Sequence, residues 1–295
     1  MKTVLFTGAT GLLGRYFFKS PPAHFKLIGT YNKNLRVEKK EFFRLDITKK
    51  NEVLSLFKKI RPDVVVHAAS LGNVDYCETH KKEAKDVNIK GTKNVLSACK
   101  KTGAKMIFTS SNAIYDGENP PFSEDSPANP LDYYGKTKIE SEKLIKKSGA
   151  PFVILRLMTM YGWPEKGGRS NPAVWVIEEL KNKRKINVVS DIYNNHLYAG
   201  QAVDAVWKVI KGNRKNEIYN IAGEDCVSRF ELALEVAEVF KLDASLINPV
   251  TSDFFKSIAK RPKNTCFNTR KIAEELDYKP LDINSGLRLM KNEKS

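Results

Sequence analysis

What this chain lacks narrows it first. Its four cysteines, Cys77, Cys99, Cys226 and Cys266, stand far apart, and no two have the close spacing of a zinc knuckle or a redox dithiol. They are expected to be reduced thiols of a cytoplasmic protein. No apolar run is long enough to cross a bilayer: Val64 to Val66 and Phe152 to Leu155 are strand-sized, far short of the roughly 20 residues a spanning helix needs. No basic leader with an apolar stretch and a small-residue cleavage site precedes the first candidate strand, so export is not expected. Acidic residues are in deficit, 34 against 50 basic ones, giving a formal net charge of +16. Nucleic acid, an acidic membrane surface or an anionic small substrate would each answer to that charge. The lysines, however, come as scattered pairs such as Lys49-Lys50, Lys58-Lys59, Lys81-Lys82 and Lys146-Lys147, without an aromatic-interleaved stripe. A solvated surface is therefore the expectation, with no nucleic acid and no membrane as partner.

What is present is a long alternation. With 41% hydrophobic residues over 295 positions the chain can bury one large core or two modest ones without metals or disulfides. Candidate strands at Thr3 to Thr7, Lys26 to Thr30, Glu41 to Arg44, Val64 to His67, Lys105 to Thr109 and Phe152 to Arg156 are separated by candidate helices. The helices are Leu12 to Lys19, Asn51 to Ile60, Glu83 to Lys101 and Tyr134 to Lys147. Strand and helix in turn build a parallel sheet, and a continuous apolar run such as Val64-Val65-Val66 is what a sheet covered on both faces requires. The fold class is α/β: a doubly wound parallel sheet of the Rossmann type, with a smaller C-terminal substrate-binding lobe. The expected division is 1–160 for the dinucleotide-binding domain, with re-entry near 199–222, and 161–295 mainly for the lobe.

Thr7-Gly8-Ala9-Thr10-Gly11-Leu12-Leu13-Gly14 directly follows the first strand and opens a helix. Gly8 suits a tight turn, Gly11 lets the backbone approach a pyrophosphate, and Gly14 lets helix and strand pack closely, with the helix N-terminus facing the anion. In this position the glycines point to a bound dinucleotide. A carboxylate about 20 residues further on would favour NAD by binding its ribose. Thr30-Tyr31-Asn32-Lys33 stands there instead, and Lys33 and Arg36 could attract a 2′-phosphate. NADP is therefore the preferred cofactor and NAD the alternative; two exposed loop cations would be the plainer explanation of Lys33 and Arg36.

Tyr134-Gly135-Lys136-Thr137-Lys138 opens a helix, and the four-residue spacing puts Tyr134 and Lys138 on one face. A free phenol has a pKa of about 10, so proton transfer near neutrality needs a cation beside it. Ser111 follows the Lys105 to Thr109 strand, at the end where open α/β sheets hold their ligands, and its hydroxyl could stabilise developing charge on a substrate oxygen. Ser110 competes for that role.

These residues are accompanied by Asp46-Ile47, His67-Ala68-Ala69, Asn88-Ile89-Lys90-Gly91-Thr92, Thr109-Ser110-Ser111 and Leu155-Arg156 leading to Tyr161-Gly162. Together they resemble the extended short-chain dehydrogenase/reductases over nearly the full chain. The resemblance implies Ser111, Tyr134, Lys138 and Asn88 as catalytic residues, Asn88 being the one that shapes the active-site helix. It implies cofactor contacts from Gly8, Thr10, Gly11, Leu12, Leu13, Gly14, Tyr31, Asn32, Lys33, Asp46, Ile47, Ala68, Ala69 and Ser70, besides Tyr134 and Lys138.

Asp116-Gly117-Glu118-Asn119-Pro120-Pro121, the run from Asp191 to Ala199 and Arg261-Pro262-Lys263-Asn264 make the chain similar, within that family, to the dTDP-4-dehydrorhamnose reductases and the methionine adenosyltransferase β subunits. The implied activity is NAD(P)-dependent reduction of a nucleotide-linked keto-sugar. A nucleotide-sugar 4-epimerase or dehydratase and a non-catalytic NADP-binding regulatory subunit are the alternatives. Substrate contacts fall on Ser111, Asn112, Thr159 and His196. Departures gather there: Asn112 replaces the usual aspartate, Thr159 a usual tryptophan, and Asn194-Asn195-His196-Leu197 a usual Gly-Ser-Pro-Thr. The partner is a nucleotide-sugar, and a homodimer stays open as the assembly.

Overall fold

The structure, a computed structural model, describes residues 1–33 and 40–293; Arg36 lies outside the described residues. The first half runs β1 (Lys2–Thr7), α1 (Leu12–Phe17), β2 (Phe25–Tyr31), β3 (Phe42–Arg44), α2 (Lys50–Ile60), β4 (Val64–His67), α3 (Val74–Thr79) and α4 (Lys81–Ala84). A π-helical stretch (Lys85–Gly91) leads into α5 (Thr92–Thr102), β5 (Lys105–Ser111), α6 (Tyr133–Lys146), β6 (Phe152–Leu157) and β7 (Met160–Tyr161). Then come α7 (Pro172–Lys181), β8 (Ile186–Val189), β9 (Tyr193–Asn194), β10 (Leu197–Tyr198), α8 (Ala199–Lys211) and β11 (Glu217–Ile221). The chain closes with β12 (Val227–Ser228), α9 (Arg229–Phe240), β13 (Ile247–Val250), α10 (Arg270–Leu276) and α11 (Ile283–Asn292).

Seven strands form one sheet in the order β11-β6-β5-β4-β1-β2-β3, and every adjacent pair is parallel. The alternation of side chains along these strands explains the two layers. Val4, Phe6, Val64, Val66, Ile107, Val153 and Leu155 belong to one apolar cluster, and Leu5, Val65, Met106, Phe108 and Ile154, between them in sequence, to the other. Each such aliphatic side chain contributes about 1.5–3 kcal/mol by leaving water. Helices α2 and α5 cover the second face; α1 and α8 cover the first, where Phe17 stacks on Trp207 at 4.6 Å between ring centroids.

The chain moves outward from β1 through β2 to β3, then returns to β4 on the other side. The crevice over the carboxyl ends of β1 and β4 is thus the place where a doubly wound sheet holds a ligand. The first cluster continues beyond the sheet through Val174, Ile177, Leu232, Val236, Leu287 and Met290, so the later helices share a core with the sheet.

Two expectations need correction. The helix expected over Glu83 to Lys101 is divided by the π-helical stretch at Lys85–Gly91. Hydrophobic spacing alone does not register one extra residue per turn, and such segments occur mostly at functional sites. The four reduced thiols are also not all found: Cys226 and Cys266 form a disulfide, with 5.8 Å between their Cα atoms, and only Cys77 and Cys99 are free. Their separation of 40 residues hides a proximity created by tertiary pairing: β12 pairs with β9, whose Tyr193 bridges to Asn264. Among the described residues no helix is long and apolar enough to cross a membrane.

Candidate active site

A cavity of about 900 Å³ opens along the carboxyl ends of the sheet. Gly8, Thr10, Gly11, Leu12, Leu13 and Gly14 line one end, followed by Tyr31, Asn32 and Lys33 beyond β2. The loop has the shape a pyrophosphate needs. Gly8 is at φ +76°, and a Cβ there would come within 2.9 Å of the Ala69 backbone; one on Gly14 would meet the Ala9 carbonyl oxygen at 2.3 Å. The N-cap of α1 is Gly11, which brings no side chain to the first amides of the helix, and such amides are suited to an anion. Ile47, Ala68, Ala69 and Ser70 complete this end.

Asp46 is not part of the lining. Its carboxylate accepts from the Thr48 amide (2.9 Å) and hydroxyl (2.7 Å), which hold its pKa down against the effect of partial burial. It fixes the turn into α2, so of the two cofactor contacts expected here only Ile47 lines the cavity. A further polar group lies behind the loop: His67 bonds Thr7 Oγ1 (2.7 Å) and Thr92 Oγ1 (3.0 Å), and burial lowers its pKa to about 3, keeping it neutral.

Ser111, Tyr134 and Lys138 meet midway along the cavity. Asp132 caps α6 by accepting from the Gly135 amide at 2.8 Å, which starts the helix so that Tyr134 and Lys138 project toward the end of β5. Lys138 is buried, donates to the Thr109 carbonyl at 2.9 Å, and stands 5.5 Å from the centre of the Tyr134 ring. Desolvation lowers its pKa to about 8, although the Glu142 carboxylate pulls the other way. Desolvation raises the Tyr134 phenol well above its ordinary value; a hydrogen bond with Ser111 and the Arg169 charge oppose that shift. This is a weak acid held protonated, with a hydroxyl partner and two cations ready for its anion.

Asn88 does not reach the cavity. It is buried, its Nδ2 donating to the Leu71 carbonyl (3.2 Å) and Thr137 Oγ1 (3.0 Å) while its Oδ1 accepts from the Leu71 amide (2.8 Å). Its own carbonyl accepts from Ser141 at 3.0 Å. Asn88 therefore ties the loop after β4 to the helix carrying Tyr134 and Lys138, and acts as a positioning residue. One turn past Lys138, Glu142 receives two bonds from Arg156, at 3.1 and 2.9 Å, in the interior.

At the far end Asn112 and Thr159 line the cavity as expected, but His196 does not. It is 2% exposed, neither ring nitrogen makes a well-formed hydrogen bond among the described residues, and burial drives its pKa down to about 3, with the Arg229 charge acting the same way and the Thr159 backbone opposing it. Its place beside β10 turns the ring into the interior, and the expected substrate contact is withdrawn. The lining also includes Asn194, from a segment of resemblance, and three residues that no motif marked: Arg169, Arg229 and Thr265. Thr265 Oγ1 accepts from Asn112 Nδ2 (2.8 Å) and Asn194 Nδ2 (2.7 Å), forming a floor from the catalytic strand to the later loops. Asp132 was not singled out, although an aspartate directly before a helix is the local signal of an N-cap; Arg261 lay in a segment of resemblance, and Thr265 and Arg229 carry no local signal.

The family profile described as the RmlD substrate binding domain matches residues 1–295. A dTDP-4-dehydrorhamnose reductase from Aggregatibacter actinomycetemcomitans is 29% identical, with 98% of each chain covered. The methionine adenosyltransferase 2 subunit beta from Bos taurus is 28% identical over 89% of this chain and 79% of its own. The crystal structure of dTDP-4-dehydrorhamnose reductase from Bacillus anthracis in complex with NADP superposes with a TM-score of 0.90, covering 100% of both chains at 24% identity.

Proposed function

The chain belongs to the RmlD substrate binding domain family, and from that premise we propose that it is an NADPH-dependent reductase of a nucleotide-linked keto-sugar. One observation carries the reading: Ser111, Tyr134 and Lys138 line the same cavity as the glycine loop. The dinucleotide, when bound, supplies the hydride. Tyr134 donates its phenolic proton to the carbonyl oxygen of the substrate, and Ser111 hydrogen-bonds that oxygen as charge develops on it. Lys138 stabilises the resulting phenolate. The cofactor contacts are those of the glycine loop, Tyr31 to Lys33, Ile47 and Ala68 to Ser70; residues after 160, apart from α8 and β11, form the substrate lobe. Incubating the protein with NADPH and nucleotide-linked 4-keto-sugars tests the proposal, through loss of the reduced nicotinamide absorbance. Tight cofactor binding without turnover would favour the regulatory reading that the β-subunit relative suggests.

Two expectations follow. NADPH should bind at least about tenfold more tightly than NADH, since a single favourable charge contact of roughly 1.4 kcal/mol gives that ratio. Lys33 lines the cavity and no acid stands at the end of β2; equal or reversed affinities in a titration would remove the argument from Thr30 to Lys33. The rate of reduction should also fall as pH rises through about 8, where Lys138 loses its charge, while Tyr134 remains protonated. The Lys138→Arg variant should retain its rate at higher pH. A flat profile between about pH 7 and 10 would show that the Lys138 charge does not assist the step.

The same reading assigns the protein to the cytoplasm, with its diffusible cofactor; the Cys226–Cys266 disulfide is the feature that runs against it.

A further inference from the structure

Helices α2, α5 and α6 lie side by side over the second face of the sheet, with α5 touching both of the others. Val53, Phe57, Val95, Leu96 and Ile145 point inward from them to one apolar cluster. Their outward sides are lysine. Lys49, Lys50, Lys58 and Lys59 stand along α2 and at its start, and Lys85, Lys90, Lys93, Lys100 and Lys101 along the π-helical stretch and α5; all are exposed. On α6 and at its end the exposed lysines are Lys136, Lys143, Lys146 and Lys147, and the spacing of Lys136, Lys143 and Lys147 puts those three on one side of the helix.

Little on this layer opposes the thirteen lysines. Glu52 is held by Lys49 at 3.2 Å and Asp86 by Lys82 at 3.3 Å, which leaves Glu140, while Glu142 turns inward to Arg156. Among the described residues the other ion pair here is a long one, Lys146 to Glu142 at 4.0 Å. Along the chain these lysines are scattered pairs, and a solvated surface with no membrane partner is what that spacing leads one to expect. The fold collects the pairs, so that most of the formal net charge of +16 sits on one side of the molecule. Like charges crowded on one surface repel, a cost that an anionic partner relieves.

Composition and shape choose the partner. None of the exposed large apolar side chains lies on the layer, so it offers a protein no hydrophobic anchor. It carries neither an arginine nor an exposed aromatic residue, the groups that read base edges and stack on bases. Three helices abreast, at spacings of about 8–10 Å, make a cationic field roughly 20 Å wide. Lysines spread over such a width suit a plane of anionic headgroups, to which each adds a modest attraction.

We propose that the lysine layer of α2, α5 and α6 is a docking surface for an anionic lipid membrane, held reversibly and without insertion. None of its lysines lines the cavity, so docking does not use the candidate active site, and the inference does not rest on the keto-sugar reading.

The test is sedimentation of the protein with mixed phosphatidylglycerol–phosphatidylcholine vesicles and with vesicles of phosphatidylcholine alone. The parent chain should bind the anionic vesicles and not the neutral ones, and should lose that binding as salt rises from about 0.05 to 0.5 M and screening shortens. The quadruple variant Lys93→Glu, Lys100→Glu, Lys143→Glu, Lys147→Glu should bind at least about a hundredfold more weakly. The same change of charge off the layer, as Lys181→Glu, Lys185→Glu, Lys211→Glu, Lys215→Glu, should leave most of the binding in place. NADPH affinity should be the same in all three proteins, which also shows that the variants are folded. Anionic vesicles bound no better than neutral ones, or equal losses in the two variants, would overturn the proposal; the second result would mean that net charge acts without the layer. Capture by double-stranded DNA through the same four lysines, with no vesicle binding, would also overturn it and give the surface to nucleic acid.

Discussion

Replacing Tyr134 by Phe should lower the rate of keto-sugar reduction by roughly a hundred- to ten-thousandfold, the usual range for a lost general acid, while NADPH binds nearly as before. The change deletes one oxygen. The ring that packs beneath the Lys138 ammonium at 5.5 Å is retained, and so is the Asp132 cap that sets the start of α6. Nothing at the glycine loop is altered. The substrate oxygen would keep the Ser111 hydroxyl but lose its only group with a proton held ready for transfer, so kcat should carry the loss and KM should move little. Steady-state kinetics beside a cofactor titration separates the two. Unchanged turnover would remove Tyr134 from the mechanism, and a matching loss of NADPH affinity would mean that the variant had disturbed the cavity itself.

The second large effect is on stability. Glu142→Ala should cost about 3–5 kcal/mol, the range for leaving one member of a buried ion pair uncompensated. Arg156 would keep its bonds to the Tyr115 hydroxyl (2.7 Å) and the Glu124 carbonyl (2.8 Å), but both nitrogens now aimed at Glu142 would face an apolar interior. Urea unfolding followed by the fluorescence of the three tryptophans measures the difference. The double variant Glu142→Met with Arg156→Met should recover a large part of the loss, because the desolvated charge is gone from both sides. A loss below about 1 kcal/mol in the single variant would place this pair with ordinary surface bridges. Activity should suffer too, since the Glu142 carboxylate helps to keep Lys138 charged.

The sheet was readable from the chain because local and global preferences agree along it. Val64 to His67 and Phe152 to Leu157 are wholly buried, and wholly apolar or nearly so runs are what such positions demand. The proton-handling residues were readable because they sit on sequence-local devices: a glycine turn, a strand end, a capped helix with side chains four apart. The far end of the cavity was not. Thr265 reaches Asn112 across 153 positions, and Arg261 pairs with Asp75 across 186; neither has a periodicity or a spacing to betray it. His196 misled for the converse reason, since a polar residue among loop residues gives no sign that its ring turns inward. Asn88 was recognised as important, but the chain alone could not say that it holds the site from behind.

Arg229, Arg261 and Thr265 share one further property. All lie between Cys226 and Cys266, so the crosslink makes the stretch that bears them a closed covalent ring, whereas Gly8, Ser111, Tyr134 and Lys138 lie off it. In the chain-entropy picture, closing a ring of this size removes freedom from the unfolded chain worth about 4 kcal/mol. The fastening is therefore unequal: the end of the cavity with Tyr134, Lys138 and the glycine loop is secured by burial and hydrogen bonds, while the far end is also secured by a covalent bond that a dithiol can open. The order of the recognition end is thereby tied to the oxidation state of two sulfur atoms, and that of the chemical centre is not.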